Sequence, residues 1–286
     1  VIRPPFRRAV RVAAGALVAL GIAAPGVTRA ADADPSGEAR RWLERMAAAL
    51  HPGDAMAARA LLFTRDAEGQ EETLILDWLR RTQDGEQALA LEVIRPEAME
   101  GTVHQLVFPG GGAVDRRVWT PTRGRLNRMR GGHPTDPFLG SFFTYEDLGF
   151  ALLAGGGASG VRYFDESGRE RVEVRSGPYF IYGRMQAVID VETGLPVRVL
   201  FHDRADFPFR RLRFSDVREV GGHLLPLRIE AEDLLSGMRS RLEFDGVRFD
   251  VRPDPALFEP DFAGRPLRRG TRIDVPVPGD GAGDGS

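Results

Sequence analysis

Leu74 to Val93 reads LILDWLRRTQDGEQALALEV, and the period of this stretch decides the fold class. Leu74, Leu76 and Trp78 alternate with their neighbours, as do Leu89, Leu91 and Val93, which is the repeat of strands that turn one face to a core. Between the two runs stands Asp84-Gly85, a pair suited to a tight hairpin because both central residues of such a turn take positive φ. The stretch predicts two antiparallel strands. Outward from it the pattern recurs at 103–108, 114–119, 161–164, 171–175, 180–190, 197–202, 209–217, 225–231 and 238–251, with breaks at Ser167-Gly168, Thr193-Gly194, Gly221-Gly222 and Ser236-Gly237. A first strand begins near Leu61, and the whole is a meander of about ten or eleven strands.

Two segments depart from this period. Asp34 to Leu50 carries Trp42, Leu43, Met46 and Leu50 at helical spacing, with Asp34 and Ser36 as candidate caps and His51-Pro52-Gly53 as its stop. The second runs from Arg130 to Gly160 and holds Phe138, Leu139, Phe142, Phe143 and Tyr145, then Leu148, Leu152 and Leu153. Thr144 followed three residues later by Asp147 fits a capping box. Glycines flank the segment at Gly131-Gly132 and Gly155-Gly156-Gly157. Side chains this large and apolar must dock, and flanking glycines lower the cost of undocking. A movable lid is one reading; a static plug is the other.

A sheet of this size curls or packs in layers. The expected fold is therefore mainly β (α+β): a strongly curved antiparallel sheet, or incomplete barrel, with the helices covering its concave face. If those helices leave space, Leu74, Leu76, Trp78, Leu89, Leu91, Val93, Met185 and Phe201 line an apolar cavity by alternation. A register slip of one residue would turn them outward.

The ends suggest export. Arg3, Arg7, Arg8 and Arg11 precede an apolar run from Val12 to Ala24 and then Thr28-Arg29-Ala30, the three regions of a cleavable signal peptide. The run spans about 13 residues where a bilayer crossing needs roughly 20. Residues 1–30 are expected to be removed, 31–267 to form the folded domain, and 268–286, rich in Arg, Pro, Gly and Asp, to be a disordered tail. The formal charge of −2 becomes −7 without the five arginines of residues 1–30, which argues against nucleic acid as a partner. With no cysteine there is no disulfide, thiolate metal site or lipid anchor.

Catalytic patterns are weak. None of His51, His104, His133, His202 and His223 stands at a metal-ligand spacing from another, so no metal or cofactor is called for. Glu146-Asp147 reads as first-turn charge and cap. Gly140-Ser141 lacks the second glycine of a nucleophile elbow, and no Lys follows the glycines at 155–160. No catalytic residues are assigned.

Arg117-Val-Trp119-Thr-Pro121, Arg125, Arg128 and then Asp136-Pro-Phe138-Leu-Gly140-Ser-Phe-Phe143-Thr144-Tyr145-Glu146-Asp147-Leu148 resemble the signature of the outer-membrane lipoprotein-sorting (LolA-like) family. The resemblance extends through Ile189-Asp190, Thr193-Gly194-Leu195-Pro196, Gly222-His-Leu-Leu-Pro226, Phe258 and Phe262. Phe142 stands where such proteins commonly have Asp, and Thr120 where an aromatic is frequent. The resemblance implies an unclosed β-barrel with a helical lid that holds acyl chains of lipids or lipoproteins during transit across the periplasm. It also implies an inner-membrane exporter and an outer-membrane acceptor as partners, and a monomer is expected. A lipid-sensing or accessory module working with an inner-membrane protein is the alternative. An enzyme, such as a lipid hydrolase centred on Ser141 or Glu146, is a third reading.

Overall fold

The computed structural model describes residues 35–108, 114–129, 135–149, 159–176, 182–249 and 251–259. The expected signal segment and tail, together with Asp34, the glycine pair and triplet flanking the expected lid, His133, Leu152, Leu153, Phe180 and Phe262, lie outside these residues. None of the helices among the described residues is long and apolar enough to cross a membrane.

Among the described residues, thirteen antiparallel strands form one sheet that does not close into a barrel: β1 (Ala55–Arg65), β2 (Glu71–Gln83), β3 (Glu86–Arg95), β4 (Val103–Phe108), β5 (Asp115–Thr120), β6 (Arg125–Arg128), β7 (Ser159–Phe164), β8 (Glu170–Ser176), β9 (Arg184–Asp190), β10 (Pro196–His202), β11 (Pro208–Val220), β12 (His223–Asp233) and β13 (Arg239–Arg248). Their order is β6-β5-β4-β3-β2-β1-β13-β12-β11-β10-β9-β8-β7. Two meanders meet where β1 pairs with β13, and β6 and β7, adjacent along the chain, hold opposite edges. The turns fall where the sequence places them: Asp84 and Gly85 have φ of 52° and 79°, Gly221 and Gly222 of 57° and 80°.

Alternation turns one face of every long strand inward. Cross-strand rows feed a single apolar core: Leu74, Leu62, Leu242, Ile229 and Phe214 cross the seam between the meanders, and Val174, Ala187, Val199, Leu212 and Ala231 run through the second meander. Helix α1 (Pro35–Leu50) lies on this face against β7, β8 and β12. Its Trp42, Leu43, Met46 and Leu50 are buried as their spacing predicts.

Among the described residues the strand count exceeds the expected ten or eleven, β6 being the strand outside every run named from the sequence, and the other departures are of bounds. β1 begins at Ala55 rather than near Leu61 because Ala57, Ala58 and Ala60, all fully buried, carry little strand signal. They are small because both faces are covered there. On the outer face Ala57, Leu79, Ala88, Ala90 and Val103 pack under Leu257 and Phe258 of a 3-10 turn, Pro255–Phe258. Gln105 on β4 fixes that turn by donating Nε2–H to the Leu257 carbonyl at 2.6 Å. β6 has no apolar period to announce it, and β13 ends at Arg248 rather than Val251.

Candidate functional site

The connection between β6 and β7 must travel from one sheet edge to the other, and its described part, residues 135–149, lies on the inner face. It opens as a small hairpin. Pro137 bridges Thr144, the Phe138 amide donates to the Phe143 carbonyl at 2.7 Å, and the Ser141 amide donates to the Phe138 carbonyl at 2.9 Å. Leu139 and Gly140 form the tip with φ of 49° and 74°. Glycine is at ease there; leucine is in a conformation that L side chains adopt at a cost. Ser141 Oγ donates to the Phe138 carbonyl at 2.7 Å and accepts from the Phe143 amide at 3.2 Å, so its hydroxyl serves the turn.

A helix of one turn, α2 (Tyr145–Gly149), follows. The capping box forms reciprocally: the Thr144 amide donates to Asp147 Oδ2 at 2.7 Å, and the Asp147 amide to Thr144 Oγ1 at 3.1 Å. Gly149 sits so close to the Phe108 ring that a Cβ there would overlap it. Phe138, Phe143, Tyr145 and Leu148 are buried in the main core, with Leu139 and Phe142 packed partly against it.

Charged groups fasten this cover to both meanders. Asp147 Oδ2 accepts from Arg210 Nη2 of β11, and the same guanidinium donates to the Phe142 carbonyl at 3.1 Å. The Phe142 amide donates to Ser240 Oγ of β13 at 2.9 Å. In the other meander, Arg116 Nη1 of β5 pairs with Asp136 at 3.2 Å and lies 4.6 Å over the Tyr145 ring. His104 of β4 meets the Phe138 ring edge-on at 5.5 Å. His51, just past α1, reaches the Gly149 carbonyl through Nε2 at 2.6 Å while Gln87 of β3 reaches its Nδ1 at 3.0 Å. That arrangement fits a neutral ring donating from Nε2 and accepting at Nδ1.

Burial sets the charges. The Asp147 side chain is fully buried and that of Arg210 is 7% exposed. Burial opposes the Arg210 charge, but the Asp147 carboxylate and the Tyr182 hydroxyl outweigh it and hold its affinity for the proton above the ordinary arginine value. The two histidines go the other way. Burial lowers His104 to about 4, and burial with the nearby Arg80 charge lowers His51 to about 3. Both are neutral at physiological pH.

All eight side chains expected on the concave face (Leu74, Leu76, Trp78, Leu89, Leu91, Val93, Met185 and Phe201) are buried in this one core. Space is scarce there. An apolar cavity of about 30 Å³ lies where the ends of α1 and α2 meet the sheet, lined by Trp78, Leu89 and Leu148 together with Leu50, Met56 and Phe244. Among the described residues, no three His, Asp or Glu side chains come together as a metal could use them. Sequence reasoning missed the arginines. Arg210 shares a period of two with Leu212 and Phe214, which was the available signal that it faces inward.

A family model described as "Uncharacterized protein" matches residues 85–263, more than half of the chain. The chain belongs to that family. No curated protein matches. Among solved structures, a DUF1329 family protein from Desulfovibrio piger superposes with a TM-score of 0.68 at 19% identity, over 79% of this chain and 98% of that one. A domain assigned to outer-membrane lipoprotein sorting from Vibrio parahaemolyticus gives the same TM-score and identity over 79% and 100% of the two chains. A LolA superfamily protein from Nitrosomonas europaea gives 0.60 at 16% identity, over 77% and 97%. The fold of this family member is the LolA-like fold.

Proposed function

We propose that the protein is a periplasmic carrier that takes acyl chains of lipids or lipoproteins between the inner face of its sheet and the cover formed by residues 135–149. The observation that carries this reading is the way the cover is held. It crosses the open face of an unclosed sheet on one buried ion pair, Arg210–Asp147, a second, Arg116–Asp136, whose carboxylate is exposed, and hydrogen bonds, above a core of apolar side chains. A buried ion pair adds little net stability, because both charges regain water when it parts. A cover fastened in this way can lift without unfolding the sheet beneath.

The cavity of about 30 Å³ is far below the roughly 300 to 1,000 Å³ of ligand sites, so loading proceeds through lifting of the cover. A 16-carbon chain offers on the order of 12 kcal/mol on burial, close to what a membrane offers. Exchange is then governed by what opening costs. An inner-membrane exporter as donor and an outer-membrane acceptor complete the proposed route.

Two measurements on the mature protein test the reading. Mass spectrometry of material purified from the periplasm should find acyl lipid near one molecule per chain, and hydrogen exchange of residues 138–149 should accelerate when delipidated protein meets phospholipid vesicles. Protein that carries no lipid, takes none from vesicles and keeps its exchange unchanged would leave residues 135–149 as a static plug.

A further inference from the structure

Arg210 stays with the sheet when the cover lifts, and its counter-ion does not. The guanidinium lies among apolar neighbours, 4.7 Å over the Phe201 ring and directly across the ladder from Phe201, with Leu212 and Phe214 next along its face. Its Nη2 donates to the Asp147 carboxylate and the Phe142 carbonyl, both on the cover, so that without the cover its remaining polar neighbour is the uncharged hydroxyl of Tyr182, just before β9. Nε has no hydrogen-bond partner. Arg116 is a partial counterpart in the other meander: its side chain is 2% exposed and Nη2 has no hydrogen-bond partner, but its carboxylate partner on the cover, Asp136, is 44% exposed.

An arginine keeps its charge under all ordinary conditions. A site that admits only neutral acyl chains would therefore close over one or two guanidiniums without a counter-charge, a costly arrangement in an apolar interior. An all-apolar face would serve neutral cargo better. From this we infer that the cargo is an anionic amphiphile whose phosphate or carboxylate replaces the Asp147 carboxylate on Arg210 while its chains fill the core space. The planar donors of a guanidinium suit both groups. This rests on the carrier reading and adds the class of headgroup to it. Asp147 is then a placeholder anion, holding the cover shut until a headgroup of the same charge competes for Arg210.

Delipidated protein offered phosphatidylglycerol, palmitate or diacylglycerol, each with 16-carbon chains, separates the possibilities. The expected result is at least tenfold tighter uptake of an anionic lipid than of diacylglycerol, and preference between phosphatidylglycerol and palmitate identifies the phosphate or the carboxylate as the natural group. Arg210→Gln should bring that ratio close to one, while Asp147→Asn, which removes the competing anion, should raise uptake of the anionic lipid. Equal uptake of charged and neutral lipids by the unaltered protein overturns the inference and leaves the carrier reading intact. Uptake of none of the three overturns both. The comparison on the unaltered protein stands even where a variant fails to fold.

Discussion

Helix α1 meets the sheet through Ala39, Trp42, Leu43, Met46 and Leu50, all apolar and all buried, whereas residues 135–149 meet it through Phe138, Phe143 and Leu148 together with carboxylates on Arg116 and Arg210. Both lie on one face of one sheet. Around α1 the polar contacts are peripheral: Arg45 donates to the Glu192 carbonyl at 2.9 Å, and Arg45 and Arg162 flank the Trp42 ring. Apolar burial is lost in full when a helix leaves, since water gives nothing back. Charged pairs are compensated by hydration. The difference teaches that α1 is part of the folded core and that the 135–149 cover can be a separate opening unit of lower stability.

The largest expected effect breaks the first side of the comparison. Trp42→Ala should cost about 3 to 5 kcal/mol, seen as a lower denaturation midpoint with all strands losing protection together. Local fraying of α1 while the sheet keeps its full stability would place α1 among the movable parts.

Acid should act on the second side. His104 touches the cover at Phe138 and His51 at Gly149, and both are neutral when folded. An unfolded chain binds these protons near pH 6.5, the folded protein only near pH 4 and pH 3. Stability present above pH 6.5 is therefore lost as the pH falls, by up to about 1.4 kcal/mol per pH unit for each histidine. Urea midpoints between pH 7 and pH 4 give the slope, and His104→Phe should make it shallower. An unchanged slope in that variant would assign the acid sensitivity elsewhere.

The smallest change is the most selective. Thr144→Ala removes one half of the capping box and should cost about 1 kcal/mol, with faster exchange confined to residues 145–149. A shift of the same size in α1 or the sheet would show that the two covers are coupled.

Much of this architecture was legible in the sequence because alternation and turn chemistry are local. Leu74, Leu76 and Trp78, then Leu89, Leu91 and Val93, face the core as their period requires, and Asp84-Gly85 makes the expected turn. Thr144 and Asp147 announced their own bonds. Long-range features left less trace. Ala88 and Ala90 stand where a solvent face was expected, and they are buried because Leu257 and Phe258, far along the chain, pack over them. The pairing of Arg210 with Asp147 joins residues 63 positions apart, and in Phe209-Arg-Arg-Leu-Arg-Phe214 the inward arginine is hidden among outward ones. Strand periodicity states which way a side chain points; it does not state what waits opposite.

The seam between β1 and β13 has a consequence for how the molecule is made. Ala57 faces Arg248 across it, so the last of the described strands to leave the ribosome fills a central place in the sheet, between the first described strand and its own hairpin partner. Until β13 arrives, β1 and β12, each of 11 residues, present bare edges able to pair with another chain. Such distant pairing makes folding slow. An incomplete chain is thus a sticky one, and completing the final strand both joins the meanders and removes the hazard.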